Sequence, residues 1–399
     1  MLLLDVSHTS HTRARTGIQR VTRALATALG DRAHPITHDP YLRAWRPLQD
    51  WELANLAATA PAKKRSAQWP LTARVRGRIQ RMLAGADGGT PRLRLPATDY
   101  AGLIVPEIFG PGVNQALPAL SAAVRGPRVA LFHDAIALKY PELTPVKTVA
   151  RFPAYLRELL AFDGIAAVSE DSRASLLDYW QWLGVAQHPP VRTIPLGLDL
   201  PVLATASGSR DAPAVPAPPV ILSVGSIEGR KNHLSLLEAC ETLWGAGHHF
   251  TLRLIGLAHP QTGRAALERL RTLQAAGRPI RYDGPASDAA LEAAYAECRF
   301  TVYPSRIEGF GLPVLESLAH GKPCVCSGRG ALGESARGGG CFALERVDAP
   351  DLAAALGHLL AHPAQVADLA AAARQRRFRS WDAYADDITS WLKELPRSN

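Results

Sequence analysis

The chain has 399 residues, 47% of them hydrophobic and 20% charged, the balance of a folded protein with sizeable cores, and this length predicts two domains. Disorder throughout and fibrous repeats are excluded. With 45 Lys and Arg against 36 Asp and Glu the net charge is +9, which in bulk points to nucleic acid, an anionic membrane surface or an anionic ligand. The charge is concentrated. Residues 61–96 hold nine basic side chains and one acidic, leaving 36 basic and 35 acidic for all the rest.

In chain order, LLLDVS (2–7) is a strand-length apolar run, too short for a secretion signal. TGIQRVTRALATALG follows as an amphipathic helix, with Thr16 as its expected cap and Gly30 as its stop. Inside the basic segment Leu71, Val75, Ile79 and Leu83 recur at every fourth position. Arg74, Arg76, Arg78 and Arg81 stand between them and Trp69 just ahead, the pattern of a basic amphipathic helix. Such a helix either packs its apolar side on the first domain or offers it to a membrane surface or a lipid-linked diphosphate. Strand-like runs continue with YAGLIVP (100–106), RVALFHD (128–134), GIAAVS (164–169) and VRTIPLG (191–197).

Residues 201–219, rich in Pro, Ala, Gly and Ser without periodicity, read as a linker. Beyond them VILSVGS (220–226), TLRLIG (251–256), RFTVYPS (299–305) and PCVCSG (323–328) alternate with helical patterns from Lys231, Gly263, Ser287 and Pro313. The alternation predicts an α/β protein with two parallel sheets and crossover helices. Its expected parts are a first domain over 1–200 with the basic insertion 61–96, a second over 220–375, and a last helix over 376–399. Five cysteines without C-x-x-C spacing read as reduced thiols of a cytoplasmic protein. No run approaches the roughly 18 apolar residues of a spanning helix.

Two segments carry chemistry. In YPSRIEGFGLPVLESLAHGKP (303–323) a strand gives way to a loop with Glu308, Gly309, Phe310 and Gly311, and Pro313 is expected to open a helix. The glycines admit a ligand close to the backbone, and a helix N-terminus offers N–H groups to an anion. Glu316 is expected in the first helical turn, where a carboxylate can accept from a ribose diol; alternatively it only favours the helix dipole, with Glu308 a solvated loop residue. In SVGSIEGRKNH (223–233) a turn after a strand delivers Arg230 and Lys231 to a helix start. That pair suits a diphosphate and the charge that grows on a departing one, or is merely a solvated basic pair. His133, at the end of RVALFHD, is either a structural histidine or a sugar-site residue.

Taken together, EGFGLPVLES downstream of the GRKN turn resembles the retaining glycosyltransferases of family 4, which have the GT-B fold. DVS…TGIQRVTRAL, LFHDAIALKYPE, DGIAAVSEDSR, PLGLD and RSWDAYADDITSWL are similar, in order, to segments of family members that build bacterial surface polysaccharides. The resemblance implies two Rossmann-like domains facing across a cleft, with the last helix crossing back to the first. It implies that Glu316 holds the nucleotide ribose and Glu308 contacts the donor sugar. Gly309, Phe310, Gly311 and Leu312 would offer backbone N–H groups, and Arg230 and Lys231 would bind the diphosphate. Gly17, capped by Thr16, would let the first helix approach the phosphates, and His133 would hydrogen-bond a sugar hydroxyl or carry charge near the anomeric carbon. Asp134 would orient or cap, and Ser169 is a weaker candidate for the cleft lining. Ser226 stands where many members have an arginine, so Arg230 is expected to supply the second positive charge.

Neither an Asp-x-Asp after a strand nor a metal-ligand spacing is present in the sequence, so no metal and no cofactor is expected. The implied partners are a nucleotide-sugar donor, weakly favoured as GDP-mannose, a glycan or lipid-linked glycan acceptor, and the cytoplasmic face of the inner membrane. No nucleic acid is expected, because only Trp69 stands among the arginines of the basic stripe. The other readings are a nucleic-acid binder and a GT-B epimerase or phosphorylase; a phosphorylase would need a pyridoxal lysine that has no evident place here.

Overall fold

The computed structural model describes residues 1–58, 67–83, 92–96, 99–199 and 218–397. Most of the expected linker and much of the basic segment therefore lie outside the described residues. Contacts divide the chain into two units. The first comprises Met1–Ala135, Ala150–Gly197 and Trp381–Asn399, and the second Ile136–Val149 and Leu198–Ser380. A division at residue 200 alone does not separate the stretch Ile136–Val149, which counts with the second unit; Leu143 lies 3.4 Å from where a Cβ on Gly229 would stand.

The sheet of the first unit contains β1 (Leu2–Asp5), β2 (Ala33–Asp39), β3 (Ala44–Pro47), β4 (Arg92–Leu93), β5 (Gly102–Val105), β6 (Arg128–Phe132), β7 (Gly164–Ala167) and β8 (Val191–Thr193). Their order is β4-β3-β2-β1-β5-β6-β7-β8. Every described pairing is parallel except β2 with β3. All four residues of β1, of β5 and of β7 are buried, as strands covered on both faces require. The last helix, Trp381–Glu394, belongs to this unit. It comes so close to β7 that a Cβ on Gly164 would stand 2.6 Å from Leu395 and 2.9 Å from Trp391. Any larger residue there would have to displace these two side chains.

In the second unit the strands are β9 (Val220–Val224), β10 (Thr251–Ile255), β11 (Ile280–Tyr282), β12 (Phe300–Tyr303), β13 (Cys324–Ser327) and β14 (Cys341–Leu344). Their order, β11-β10-β9-β12-β13-β14, is parallel throughout. This is the doubly wound Rossmann arrangement, whose strand order reverses between β9 and β12. Loops leaving the C-terminal ends of these two strands diverge there and open a crevice. Ile221, Leu252, Leu254, Phe300 and Val302 fill the core on one side, closed by Trp244 stacked on Phe250. The five cysteines are free thiols, four of them buried. No helix among the described residues is long and apolar enough to cross a membrane.

Because Trp391 is buried against the first sheet, Trp391→Ala should cost about 3–5 kcal/mol through the cavity it leaves. The expected result is a lower melting transition for the first unit, with that of the second unit unmoved in a calorimetric scan.

Candidate active site in the second unit

The turn after β9 and the loop after β12 leave neighbouring strands at the crevice, and the chain ties them together. The Arg306 N–H donates to the Arg230 carbonyl at 2.9 Å. A 3-10 turn, Gly229–Lys231, ends on Asn232 in left-handed geometry and feeds the helix His233–Gly245. This turn aims Arg230 and Lys231 at one carboxylate. Glu308 receives the Arg230 Nη1 at 2.5 Å and the Lys231 Nζ at 2.7 Å, one on each oxygen. The other face of the Arg230 guanidinium meets Glu228 at 2.9 Å. Lys231 also donates to the Tyr303 phenol oxygen and lies 4.6 Å from the centre of that ring.

The electrostatics follow from burial. Glu308 and Lys231 are buried, while the Arg230 side chain keeps 25% of its surface exposed. Burial alone would push the Glu308 carboxyl up, but Arg230 and Lys231 outweigh it and hold the group at about 2. Burial lowers the Lys231 ammonium below its ordinary value even with Glu308 beside it. Tyr303 is raised well above the usual phenol range, first by burial and then by Glu308, so it stays protonated.

Beyond Glu308 the loop runs through half-buried Gly309 and Phe310 to buried Gly311 and Leu312. Gly311 has φ +102°, and a Cβ on it would stand 2.9 Å from Leu332. Ser335 fixes the preceding carbonyl, its hydroxyl donating to Phe310 O at 2.6 Å. The helix spans Leu312–Ala319, one residue earlier than Pro313 suggests. Glu316 accordingly lies beyond the first turn, a correction to the expected placement, and is buried. Ser226 sits half-buried in the β9 turn, four residues ahead of Arg230.

The other candidates belong to the first unit. Gly17 opens the helix Gly17–Leu29 with nothing within 4 Å of a Cβ. Thr16 occupies the cap position, but its side chain accepts from no N–H of the helix; its hydroxyl donates to the Gln19 side chain. His133 is buried, and its Nε2–H donates to Pro106 O at 2.7 Å. Burial holds it below the usual imidazole range, so the ring is neutral with Nδ1 as its acceptor. Ser169 caps the helix Glu170–Trp182 by accepting from the Ser172 N–H at 3.1 Å. Sequence reasoning passed over Glu228 and Tyr303, although both stand within four residues of a strand end facing the crevice. It also passed over Glu107, which accepts from the His8 and Thr9 N–H groups at 2.7 and 2.8 Å where the first sheet reverses between β1 and β5.

Residues 218–362 match the family Glycosyl transferases group 1. The chain is 28% identical over 337 residues to the serotype-specific mannosyltransferase WbdA of Escherichia coli, a match covering 81% of this chain and 38% of that protein. The chain thus matches well under half the length of that relative. It is 31% identical over 247 residues to the O-antigen chain mannosyltransferase B of Escherichia coli, covering 58% of this chain and 60% of that protein. Among solved structures, Anabaena HepE in complex with UDP and glucose superposes with a TM-score of 0.66 at 17% identity, covering 99% of both chains. Sucrose-phosphate synthase from Thermosynechococcus elongatus does so with a TM-score of 0.65 at 19% identity, covering 98% of both. The chain therefore has the fold of the GT-B glycosyltransferases, with the match to Glycosyl transferases group 1 confined to residues 218–362.

Proposed function

We propose that the protein is a retaining glycosyltransferase that moves mannose from GDP-mannose onto a growing, lipid-linked glycan of the bacterial surface. It would work in the cytoplasm, at the inner face of the membrane. The observation that carries the reading is the cluster of Arg230, Lys231 and Glu308 at the reversal between β9 and β12. Two cations held in fixed positions at such a crevice suit a diphosphate, and the matched mannosyltransferases favour mannose as the sugar.

In this mechanism the bond from the anomeric carbon to the diphosphate oxygen breaks on the face that the acceptor hydroxyl attacks. The hydroxyl oxygen bonds to that carbon, and its proton passes to the departing diphosphate. Arg230 and Lys231 take up the charge that grows on the leaving group. Glu308 is ionised at neutral pH, with one cation on each oxygen. It is therefore a poor acid and a weak nucleophile, which favours front-face attack over a covalent intermediate. Its role is to hold the two cations and contact the donor sugar. Glu316 binds the ribose, and Gly309, Phe310, Gly311 and Leu312 supply backbone N–H groups. Neutral His133 accepts a hydrogen bond from a sugar hydroxyl through Nδ1. Gly17 leaves room for the donor phosphates, and Ser226 lines the turn. No metal ion is required, because the diphosphate charge falls to the two side chains.

Among GDP, UDP, ADP and dTDP, only GDP should raise the melting temperature. Stabilisation by UDP alone would reassign the base, and none by any of them would overturn the nucleotide-donor reading. Lys231→Ala, Arg230→Ala and Glu316→Ala should each lower transfer by about 100-fold or more with the fold retained. Full activity in one of them would remove that residue from the mechanism, and loss of transfer in EDTA would overturn the metal-free step.

Glu308→Gln should also destabilise the protein by about 3 kcal/mol, since it leaves buried Lys231 without its carboxylate and takes one of two carboxylates from Arg230. With its folded value of about 2 below the ordinary 4.5, the Glu308 contribution is present in full above pH 4.5 and lost as pH falls towards 2. Denaturant midpoints should therefore converge for wild type and variant near the acid end of that window.

A further inference from the structure

The helix Leu71–Leu83 turns its apolar side away from the protein. Its seat is at Gly77, which is buried; a Cβ there would stand 3.0 Å from Tyr41 Cβ and 3.3 Å from Leu42 N. Arg78 lies over the Tyr41 ring at 5.6 Å. Just ahead of the helix, Trp69 is wedged against His11, Tyr41 and Trp51 at ring-centre distances of 4.1, 5.2 and 5.3 Å. The helix is thus fixed in rotation.

At 3.6 residues per turn, Leu71, Val75, Ile79, Met82 and Leu83 fall on an arc of about 120°, roughly opposite Gly77. Their exposures are 74%, 54%, 49%, 80% and 83%. These five are among only eleven large apolar side chains exposed in all the described residues, so they form a patch and not a scatter. Arg74, Arg78 and Arg81 follow one edge of the arc and Arg76 the other, with no acidic residue in the helix.

We infer that this helix is a membrane-surface element: it lies in the interface of an anionic bilayer, apolar side down, with its arginines on lipid phosphates. Charge complementarity selects this occupant. Against a second copy, four arginines would meet four arginines; against nucleic acid, five apolar side chains would face a polar surface. The inference stands on the first unit alone and does not rest on the reading of the donor site.

The test is co-sedimentation of the full chain with phosphatidylethanolamine–phosphatidylglycerol vesicles and with phosphatidylcholine vesicles. Partition to the anionic vesicles and its weakening by high salt are expected. The exposed pair Arg76→Ser with Arg81→Ser should lower it about 30-fold, on the scale of about 1 kcal/mol for each basic residue at an anionic surface. Val75→Gln with Ile79→Gln should lower it about 10-fold or more by removing methyl groups that enter the bilayer. Both variants should keep the wild-type melting temperature and its shift with nucleoside diphosphate. Equal binding of the variants and wild type, or equal binding to both vesicle types, would overturn the proposal. So would absence of wild-type binding, or dimers in solution that the Val75–Ile79 variant abolishes while vesicle binding is unaffected.

Discussion

One buried carboxylate with a cation on each oxygen sets the terms for the second unit. Charges out of water are tolerated only when paired at good geometry, and a missing partner leaves the others costly. Glu308 meets that condition because β9 and β12 are neighbours, so that loops from strands that begin at Val220 and Phe300 can face each other. The backbone bond from Arg306 to Arg230 fixes the distance between the loops, and Tyr303 closes the side of Lys231 that Glu308 leaves open. With Glu228 on the remaining face of Arg230, two cations stand against two carboxylates. The cluster is neutral as a whole, yet each cation is held by rigid backbone. Preorganisation of this kind is what a developing diphosphate charge needs, since nothing has to rearrange as the charge appears.

The first unit solves a similar problem with a different result. Glu107 takes the N–H groups of His8 and Thr9 and so folds the segment after β1 back into the reversal point of its sheet. That segment carries His11, whose Nε2 meets Glu52 at 2.8 Å, and Glu52 in turn binds Arg46 at 2.6 Å. Arg46 reaches Asp39 at 3.0 Å. The same His11 ring packs on Trp69. A chain of buried polar contacts thus runs from the sheet to the residue that anchors the helix Leu71–Leu83. Such networks rigidify when every member is satisfied. The rotation of that helix, and hence the direction of its apolar side, is inherited from the core.

What could be read from the sequence divides along physical lines. Short apolar runs alternating with amphipathic ones specify a parallel sheet with crossovers, because strands buried on both faces tolerate little else. Arg230 and Lys231 were legible as a pair that suits a phosphate, and Glu308 with the glycines beside it as a loop that admits a ligand. Their partners were not. Glu228 and Tyr303 matter only because turn geometry and strand order bring them to the cations, and neither leaves a periodic trace. Thr16 sits where a cap belongs, but its hydroxyl is turned to the Gln19 side chain and accepts from no N–H of the first turn. Glu316 slipped past the first turn because Gly311, in left-handed geometry, starts the helix before the proline. The stretch Ile136–Val149 joins the second unit through contacts that no linker composition announces. For Leu71–Leu83 the amphipathic pattern was plain, yet periodicity cannot say which side meets the protein. Gly77 decided it: a small-residue face lets the backbone come within contact of Tyr41, while branched side chains would hold it off.

The basic excess of the chain therefore consists of two kinds of cation with different physics. Arg230 and Lys231 stand beside a buried carboxylate, in surroundings where Coulomb attraction is strong and salt reaches poorly. Arg76, Arg78 and Arg81 are exposed on the helix and have no acidic neighbour within it. Their influence extends about 8 Å at physiological ionic strength and fades as salt is added. The first kind is fixed by distance to single oxygens and is lost residue by residue. The second acts as a sum, tolerates exchange of one basic residue for another, and gains direction only from the apolar arc it borders. A net charge of +9 records both without distinguishing them; burial and rotation about one helix axis do.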